Sequence, residues 1–597
     1  MRKPVLVVGG GIAGIQASLD LAEMDVPVFI IENSPSLGGR MAQLDKTFPT
    51  NDCSACILAP KVTSCYNHPL IKTFTLSELV DLRGEAPEFT AVIKKKARFI
   101  DEDLCRGCNA CISKCPIEKK SEFDMGIGNR RAVYKPYAQA VPNKVVIDKK
   151  GTSPCKFNCP AHMDAHGYVA LTGQGRYLEA LEVVRRTTPF ASVLGRVCSH
   201  PCEAGCARQY VDSPVSLAAL KRFIADYEVQ QGIVPKIKTA AQKKDAMVAV
   251  IGSGPAGLNC AYRLAVEGYK VTVFEALPEP GGMLRAGIPA FRLDKKVLER
   301  EIDIVKSLGV EIICNSPVGR NLTLDMLRDK GYKAFFVATG AHAGKKAGIP
   351  GEETPGVIDA LDFLRELNLS GTAPAGKKTV VIGRTREALD AARSAVRMGS
   401  KVTLVVTGAA GDMDIRKNEI EYAKEEGVRF EFNCVPVEVI SDGEKATGLK
   451  CARMSGHGSA NTADSAVDIS TAFIIEADTI ITAVGRSIES SPLVEAGINC
   501  FDKDGKIAVN PESLETGIPG VFAGGDAVSG DSGVINAIAR GNMAAMSIIN
   551  YLEGKDLPVR PQVLPVTPIE EIDFSCAENT PRVGMPVLEP DKRTGTV

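Results

Sequence analysis

Short, wholly apolar runs that stop at glycine recur along this chain. Val5–Val8 runs into Gly9, Gly11 and Gly14, and Val28–Ile31 then ends at Glu32. Val248–Ile251 runs into Gly252, Gly254 and Gly257, an amphipathic stretch follows, and Lys270–Phe274 ends at Glu275. Ala334–Val337 stops at Ala338-Thr339-Gly340, Thr379–Ile382 stops at Gly383, and Lys401–Val406 follows. Val521–Ala523 stops at Gly524-Gly525-Asp526, ahead of a helical pattern over Val534–Ile549. Runs this short and this uniformly apolar predict strands buried on both faces, and the amphipathic stretches between them predict crossover helices. The expectation is an α/β protein with parallel sheets.

The unit at 248–275 carries the most chemistry. Strand, glycine turn, helix, strand and acid occur there in the order that binds a dinucleotide. Gly252 allows the tight turn, Gly254 lets backbone N–H groups approach a pyrophosphate, and Gly257 lets helix and sheet close up. The helix N-terminus then favours phosphate, and Glu275 can accept from a ribose hydroxyl. The Gly525-Asp526 turn and the Thr339-Gly340 strand end resemble the two-dinucleotide flavoproteins. By that resemblance, Asp526 binds the ribityl chain of FAD and the helix after it points at the flavin. Gly281-Gly282-Met283 onward to Leu293 matches the stretch that passes near the isoalloxazine in the same family.

At 597 residues the length suggests about four domains. Apolar residues make up 45% with no Trp, ordinary for a globular α/β protein, and a net charge of −1 argues against nucleic-acid or membrane-surface roles. The basic run Lys94–Arg98 reads as a solvated patch. No apolar run approaches the ~20 residues of a membrane span, and the glycines of the first segment distinguish it from a signal peptide. A soluble, cytoplasmic protein is expected. Of the 18 cysteines, 12 precede residue 207, a clustering that in a large intracellular chain indicates metal ligands rather than disulfides.

Cys105, Cys108, Cys111 and Cys115-Pro116 follow the C-x2-C-x2-C-x3-C-P spacing of a ferredoxin-type [4Fe-4S] site. The fourth ligand is open between Cys115 and Cys53 or Cys56, and Cys65 has no motif. The first βαβ unit could hold a second FAD through Gly9, Gly11 and Gly14, but no Gly-Asp return strand follows it. The segments GGRMAQLDKTFPTNDCSACIL, CRGCNACISKCP and GIGNRRAVYKPYAQAVP give residues 1–148 a family resemblance. This region resembles the N-terminal part of the iron–sulfur flavoprotein component of heterodisulfide reductase, which serves anaerobic electron-transfer complexes.

A second cysteine group comprises Cys155 and Cys159 with Cys198, Cys202 and Cys206, set among helical stretches at 149–240. Asp212-Ser213-Pro214 predicts the start of an amphipathic helix with Leu217, Leu220, Ile224 and Tyr227 on one face. With residues 246–550, this segment resembles the small chain of glutamate synthase and its NAD(P)H-dependent iron–sulfur relatives. The resemblance implies two interleaved [4Fe-4S] clusters, one on Cys155 and Cys206, the other on Cys159, Cys198 and Cys202. The C-x2-C pair that the family places just before Cys155 is missing, so two ligands lack a local source.

After a basic linker (233–245), an FAD domain is expected at 246–365 and 490–555, with an NAD(P)-type domain inserted at 366–489. The fingerprint of the insert is degenerate. Arg384-Thr385-Arg386 follows Gly383 where the family has G-G-G-N, and Thr407 ends the second strand where an acid would read ribose. A β-branched residue at the close-approach position holds a pyrophosphate away, although Arg384 and Arg386 could bind phosphate as side chains. Residues 556–597, with seven prolines and Cys576, predict a wrapping tail. A disulfide reductase is disfavoured: 276–293 holds no cysteine, and Cys434 and Cys451 stand alone in sequence.

The fold class expected is therefore a two-dinucleotide-binding α/β flavoprotein with helical and ferredoxin-like iron–sulfur modules. It would hold FAD and two to three [4Fe-4S] clusters, with NAD(P)H possible. The function expected is that of an electron-transfer component of a larger oxidoreductase, exchanging electrons with other redox subunits or a ferredoxin-like protein. The flavin itself would be the redox centre, so no catalytic side chain is required. The alternatives are a self-standing NADPH:ferredoxin-type oxidoreductase and a docking scaffold.

Overall fold

The computed structural model of the chain describes residues 2–149, 151–413, 415–454, 467–557, 565–575 and 577–595. Cys576 lies outside the described residues. The chain forms two compact units, one of Met1–Ser153, Ala207–Ser213 and Leu564–Pro581, the other of Pro154–Cys206, Pro214–Val563 and Arg582–Val597.

In the first unit, β1 (Val5–Val8), α1 (Ile12–Glu23), β2 (Val28–Ile31), α2 (Ser54–Asn67) and β3 (Ile71–Phe74) build a parallel sheet in the order β1-β2-β3. β1 is thus an edge strand, and Val8 is 62% exposed. Ile15, Ile30, Leu37, Leu58 and Val62 fill the core beneath. A Cβ on Gly14 would lie 2.0 Å from the carbonyl oxygen of Gly9, so only glycine lets α1 come this close to the turn. A long hairpin, β4 (Ser77–Glu85) with β5 (Glu88–Lys95), precedes the ferredoxin-type segment. Tail residue Ile572 bridges Ile117 just past Cys115, and the Thr580 N–H donates to Asp212.

The predicted cap at Asp212 is corrected. Its carboxylate is taken by Arg208 and Thr580, and in the second unit the helix starts only at Leu217, after Ser216. Residues 207–213 and 564–581 belong to the first unit, so neither the helical module (149–240) nor the tail (556–597) is a single body.

The second unit opens with helices that include α3 (Ala165–Gly173), α4 (Tyr177–Arg185), α5 (Ala191–Val197) and α6 (Leu217–Gln230). Next come β6 (Met247–Ile251), α7 (Pro255–Val266), β7 (Lys270–Phe274), α8 (Lys295–Ser307), β8 (Glu311–Ile313) and β9 (Tyr332–Val337). Far along the chain β18 (Val521–Ala523) returns to the same sheet. Its order is β8-β7-β6-β9-β18, all parallel. The crossover helix α7 packs on α12 (Val534–Leu552) at a contact that admits no side chain: a Cβ on Gly541 would sit 2.4 Å from the oxygen of Ala256.

Between these halves lies a second parallel sheet. Its elements are β10 (Val357–Asp359), α9 (Ala360–Ser370), β11 (Lys378–Gly383), α10 (Arg386–Arg397), β12 (Lys401–Val406), α11 (Lys417–Glu425), β13 (Arg429–Phe432) and β17 (Thr479–Ala483). The order is β10-β17-β11-β12-β13, and an antiparallel sheet of β14 (Cys434–Ser441), β15 (Ala446–Met454) and β16 (Val467–Glu476) covers one face. The expected boundary at 366 is therefore too late. Val357, Ile358 and Asp359 pair with Ile480, Ile481 and Thr482 inside the inserted sheet. Three residues emerging from a Gly-Glu-Pro-rich loop give too short an apolar run to read as a strand.

Candidate functional site

A cavity of about 880 Å³ opens where β6, β9 and β18 end. Gly252, Gly254, Glu275, Gly282, Thr339, Gly340, Gly525 and Asp526 line it, as does the start of α12 at Gly533 and Val534. Parallel strands end there on one edge of the sheet, the place where open α/β sheets bind ligands.

The glycine turn divides its labour. Gly252 has φ +99°, and a Cβ there would meet the Ala338 carbonyl at 2.5 Å. A Cβ on Gly257 would lie 2.0 Å from the Gly252 oxygen, so this glycine is required for strand–helix packing. Gly254 differs: its φ is an ordinary −67°, and a Cβ would meet nothing within 4 Å. Its missing side chain leaves cavity open rather than relieving a clash. Gly282, at φ +54°, backs onto Gly254, where a Cβ would come within 2.8 Å of the Gly254 Cα. The N-terminus of α7 carries no side-chain cap, which leaves its first-turn N–H groups for a ligand.

Glu275 is buried, and both its oxygens are engaged. One accepts from the N–H (2.8 Å) and hydroxyl of Ser253, the other from the Leu277 N–H at 2.8 Å. It braces the turn as well as lining the cavity. Asp526 accepts from Ser532 and lies 3.5 Å from Arg486, and burial pushes its carboxyl above the usual range. The Thr339 Oγ1 is buried with no hydrogen-bond partner among the described residues, an orphan in the cavity wall.

These observations fit an FAD. The wall offers a turn open for a pyrophosphate, an uncapped helix start, an acid for hydroxyl groups and an orphaned hydroxyl, in a cavity of cofactor size.

The same cavity continues to Arg384, Thr385, Arg386 and Glu387 of the inserted domain. Thr385 caps α10 itself, its Oγ1 accepting from the Ala388 N–H at 3.4 Å, so a side chain stands where a phosphate would. The loop after Gly282 is clamped to α10. Arg292 bonds Asp390 at 2.5 Å, and the Phe291 ring faces the guanidinium groups of Arg393 (4.8 Å) and Arg397 (3.8 Å). Arg486 joins Glu387 on α10 to Asp526 in the flavin half. No sequence pattern announces this clamp, because its partners are distant in the chain and each is ordinary alone.

Of the second cysteine group, Cys159, Cys198 and Cys202 are buried in one core with Tyr168, and their thiols interact electrostatically. The turns carrying them touch: a Cβ on Gly205 would overlap the Asn158 side chain. The His200 N–H donates to the Cys198 sulfur at 3.4 Å, and burial raises the thiols of Cys159 and Cys202, the latter to about 12. Cys155 and Cys206 are half-buried at the edge of this group. Val197 and Ser199, on either side of Cys198, line the flavin cavity.

In the first unit, Cys108 and Cys111 are exposed, Cys105 is half-buried and Cys115 is buried. Burial would raise the Cys105 thiol, but N–H groups of Val145 and Gly107 outweigh it and hold it below its usual value. Cys53 and Cys56 face each other at the start of α2 and are joined in this structure as a disulfide, the oxidised state of a pair whose thiolates would be the iron-binding form. Among the described residues no three His, Cys, Asp or Glu side chains close up as they would on a single metal ion. A cubane cluster spaces its thiolates more widely than one ion does. The buried thiols with N–H donors aimed at sulfur are the donor chemistry such a cluster needs.

Cys434 and Cys451, read as solitary, are a buried pair on β14 and β15. The hydrogen bond between them lowers the Cys434 thiol and raises that of Cys451. Pairing across antiparallel strands leaves no sequence spacing to recognise. For the N-terminal turn, the Glu32 carboxylate accepts from the Gly10 and Ser34 N–H groups, and a Cβ on Gly11 would meet nothing within 4 Å.

The pyridine nucleotide-disulphide oxidoreductase family matches residues 246–545, half of the chain. The chain belongs to this family. A second family, dihydropyrimidine dehydrogenase domain II, 4Fe-4S cluster, matches residues 149–233. The FAD and [4Fe-4S] cofactors follow from these two matches. The chain is 41% identical over 430 residues to the NADP(+)-dependent formate dehydrogenase subunit beta of Moorella thermoacetica, which covers 67% of this chain and 60% of that protein. It is 38% identical over 437 residues to the NADPH-Fe(3+) oxidoreductase subunit beta of Geobacter sulfurreducens, covering 68% and 64%. With the glutamate synthase [NADPH] small chain of Escherichia coli it shares 33% identity over 446 residues, covering 70% of this chain and 93% of that one. The chain thus spans about three fifths of the length of the first two relatives. Among the described residues no helix is long and apolar enough to cross a membrane.

Proposed function

We propose that the chain is an iron–sulfur flavoprotein subunit that moves electrons between FAD, [4Fe-4S] clusters and partner proteins of a larger oxidoreductase. The observation that carries this reading is the place of Cys198, whose two neighbours in sequence line the flavin cavity. A cluster on Cys159, Cys198 and Cys202 would then adjoin the flavin.

When bound, FAD supplies the exchange between two-electron and one-electron carriers. The chain's part is to hold it. Backbone N–H groups at Gly254 and the start of α7 bind the pyrophosphate, Glu275 and Asp526 accept from ribose and ribityl hydroxyls, and Thr339 bonds through its orphaned hydroxyl. Gly257, Gly282, Gly340 and Gly525 keep backbone close where a side chain would intrude. The clamp of Arg292, Phe291 and Arg486 keeps the inserted domain against the cavity and excludes water from it.

Cys105, Cys108, Cys111 and Cys115 form the outlet of the first unit, where exposed Cys108 and Cys111 place a cluster within reach of a ferredoxin-like protein or a neighbouring redox subunit. Cys155 and Cys206 are proposed as ligands at the edge of the inner group. The relatives named as beta subunits support a role within a complex.

One observation favours a second reading, a self-standing NADPH:ferredoxin-type oxidoreductase: the cavity runs on to Arg384 and Arg386. Anaerobic purification followed by flavin and iron analysis tests the first reading. It requires about one FAD per chain in the cavity and roughly four irons per cluster. Rapid, saturable reduction of the isolated chain by micromolar NADPH would instead establish the second.

A further inference from the structure

The ferredoxin-type segment of the first unit shows charge of one sign to solvent. Between Cys105 and Cys115 the charged residues are Arg106 and Lys114, with no acid among them. Both are exposed, and among the described residues neither side chain has an ion pair or hydrogen bond. Cys108 and Cys111 are exposed between them, and Leu104, just before the loop, is 76% exposed.

The base of this loop is pinned. A Cβ on Gly107 would meet the Asn143 carbonyl at 2.5 Å, and the Lys144 ammonium donates to the carbonyls of Glu102 and Cys105, both at 2.7 Å. Flanking acids are partly spent. Asp101 accepts from the N–H groups of Asp103 and Leu104, Glu102 lies 3.7 Å from Arg98, and Glu122 is paired with Arg130. That leaves Asp103 and Glu118, against which the strand Glu118–Lys120 adds Lys119 and Lys120, also without partners among the described residues. The whole chain has a net charge of −1, so this excess of free cations is local.

We propose that the face of Arg106, Cys108, Cys111 and Lys114 docks an acidic one-electron carrier protein of the iron–sulfur type. The proposal rests on the reading that Cys105, Cys108, Cys111 and Cys115 hold a cluster. Arg106 and Lys114 meet carboxylates of the carrier, and Leu104 supplies apolar contact. The step is the passage of one electron from the reduced cluster to the oxidised centre of the carrier, with no bond made or broken and no proton moved. Opposite charge on the two faces steers their encounter and sets its orientation.

The test is anaerobic stopped-flow mixing of dithionite-reduced holoprotein with an oxidised acidic bacterial ferredoxin, at rising ionic strength. Wild type is compared with the double variant Arg106→Glu, Lys114→Glu, with iron counted and the cluster midpoint titrated in each. The wild-type second-order rate constant should fall steeply with salt. The double variant should be about tenfold slower at low salt, the gap closing at 1 M salt, where screening acts within about 3 Å. Oxidised cytochrome c, a basic carrier, should show the reverse order. Equal rates for the two proteins with ferredoxin overturn the proposal. So does a loss that persists at 1 M salt with a shifted midpoint, because the cations would then act on the cluster and not on the carrier. If the reversed charges cost iron, Arg106→Gln with Lys114→Gln takes their place and should be slowed less, in the same salt-dependent way. Cys108→Ser identifies a failure of the underlying reading: if it keeps every iron and EPR signal of the wild type, this loop holds no cluster.

Discussion

Replacing Gly254 by valine should remove the flavin and leave the apoprotein fold intact. The backbone at Gly254 has φ −67° and ψ 178°, which valine adopts readily, and its Cβ would meet nothing within 4 Å. The isopropyl group would project into the cavity where the pyrophosphate must approach. If two backbone hydrogen bonds to the charged phosphates are lost, at ~1.5 kcal/mol or more each, binding weakens by at least about 3 kcal/mol, on the order of a hundredfold. Gly257→Ala is the contrasting control. Its Cβ would lie 2.0 Å from the Gly252 oxygen, so it should lower the melting temperature even without flavin. Flavin per chain, read from absorbance after denaturation, and circular-dichroism melts of deflavinated protein measure the two effects separately. Comparing deflavinated proteins matters, because bound cofactor itself stabilises the native state. Full flavin retained by Gly254→Val would refute the assignment of this turn to the pyrophosphate.

Three further outcomes are expected. Cys108→Ser should lower iron by roughly four per chain while FAD remains; unchanged iron and an unchanged EPR signal would exclude the ferredoxin-type site. The isolated chain should be reduced slowly by NADH or NADPH, because Thr385 caps α10 in place of a phosphate. Arg384→Gly, Thr385→Gly and Arg386→Asn together should speed that reduction in anaerobic stopped-flow absorbance, and no acceleration would mean that the turn is not the obstacle. Burial alone would raise the Glu426 carboxyl, but hydrogen bonds from Arg393 and Arg397 outweigh it and hold it at about 2, below the usual 4.5. A folded-state value below the unfolded one stabilises the fold above pH 4.5 and is lost as pH falls through about 2. Glu426→Gln should therefore melt lower than wild type at neutral pH, with the gap closing in acid, and a gap constant with pH would contradict the pairing.

What was legible in the sequence follows from how local each signal is. The glycine turn at 252–257, the strand ends at Thr339 and Asp526 and the parallel sheets were readable, because buried strands leave unbroken apolar runs and tight turns demand glycine. The boundary at 366 failed because Val357–Asp359 is too short to announce itself among Gly, Glu and Pro. The cap at Asp212 failed because a distant partner, Thr580, takes its carboxylate. The Arg292–Asp390 and Arg486–Glu387 links and the Cys434–Cys451 pair join elements far apart in sequence, where no periodicity reaches.

The central claim is that a flavin in the Gly252–Asp526 cavity exchanges electrons with a cluster at the Cys198 turn. Rapid-freeze EPR of anaerobic protein, partly reduced by substoichiometric dithionite, tests it most directly when wild type is compared with Cys202→Ser. The account predicts that wild type shares its electrons between flavin and a reduced-cluster signal, and that Cys202→Ser binds FAD normally but leaves those electrons on the flavin. The same distribution of electrons in both proteins would contradict it.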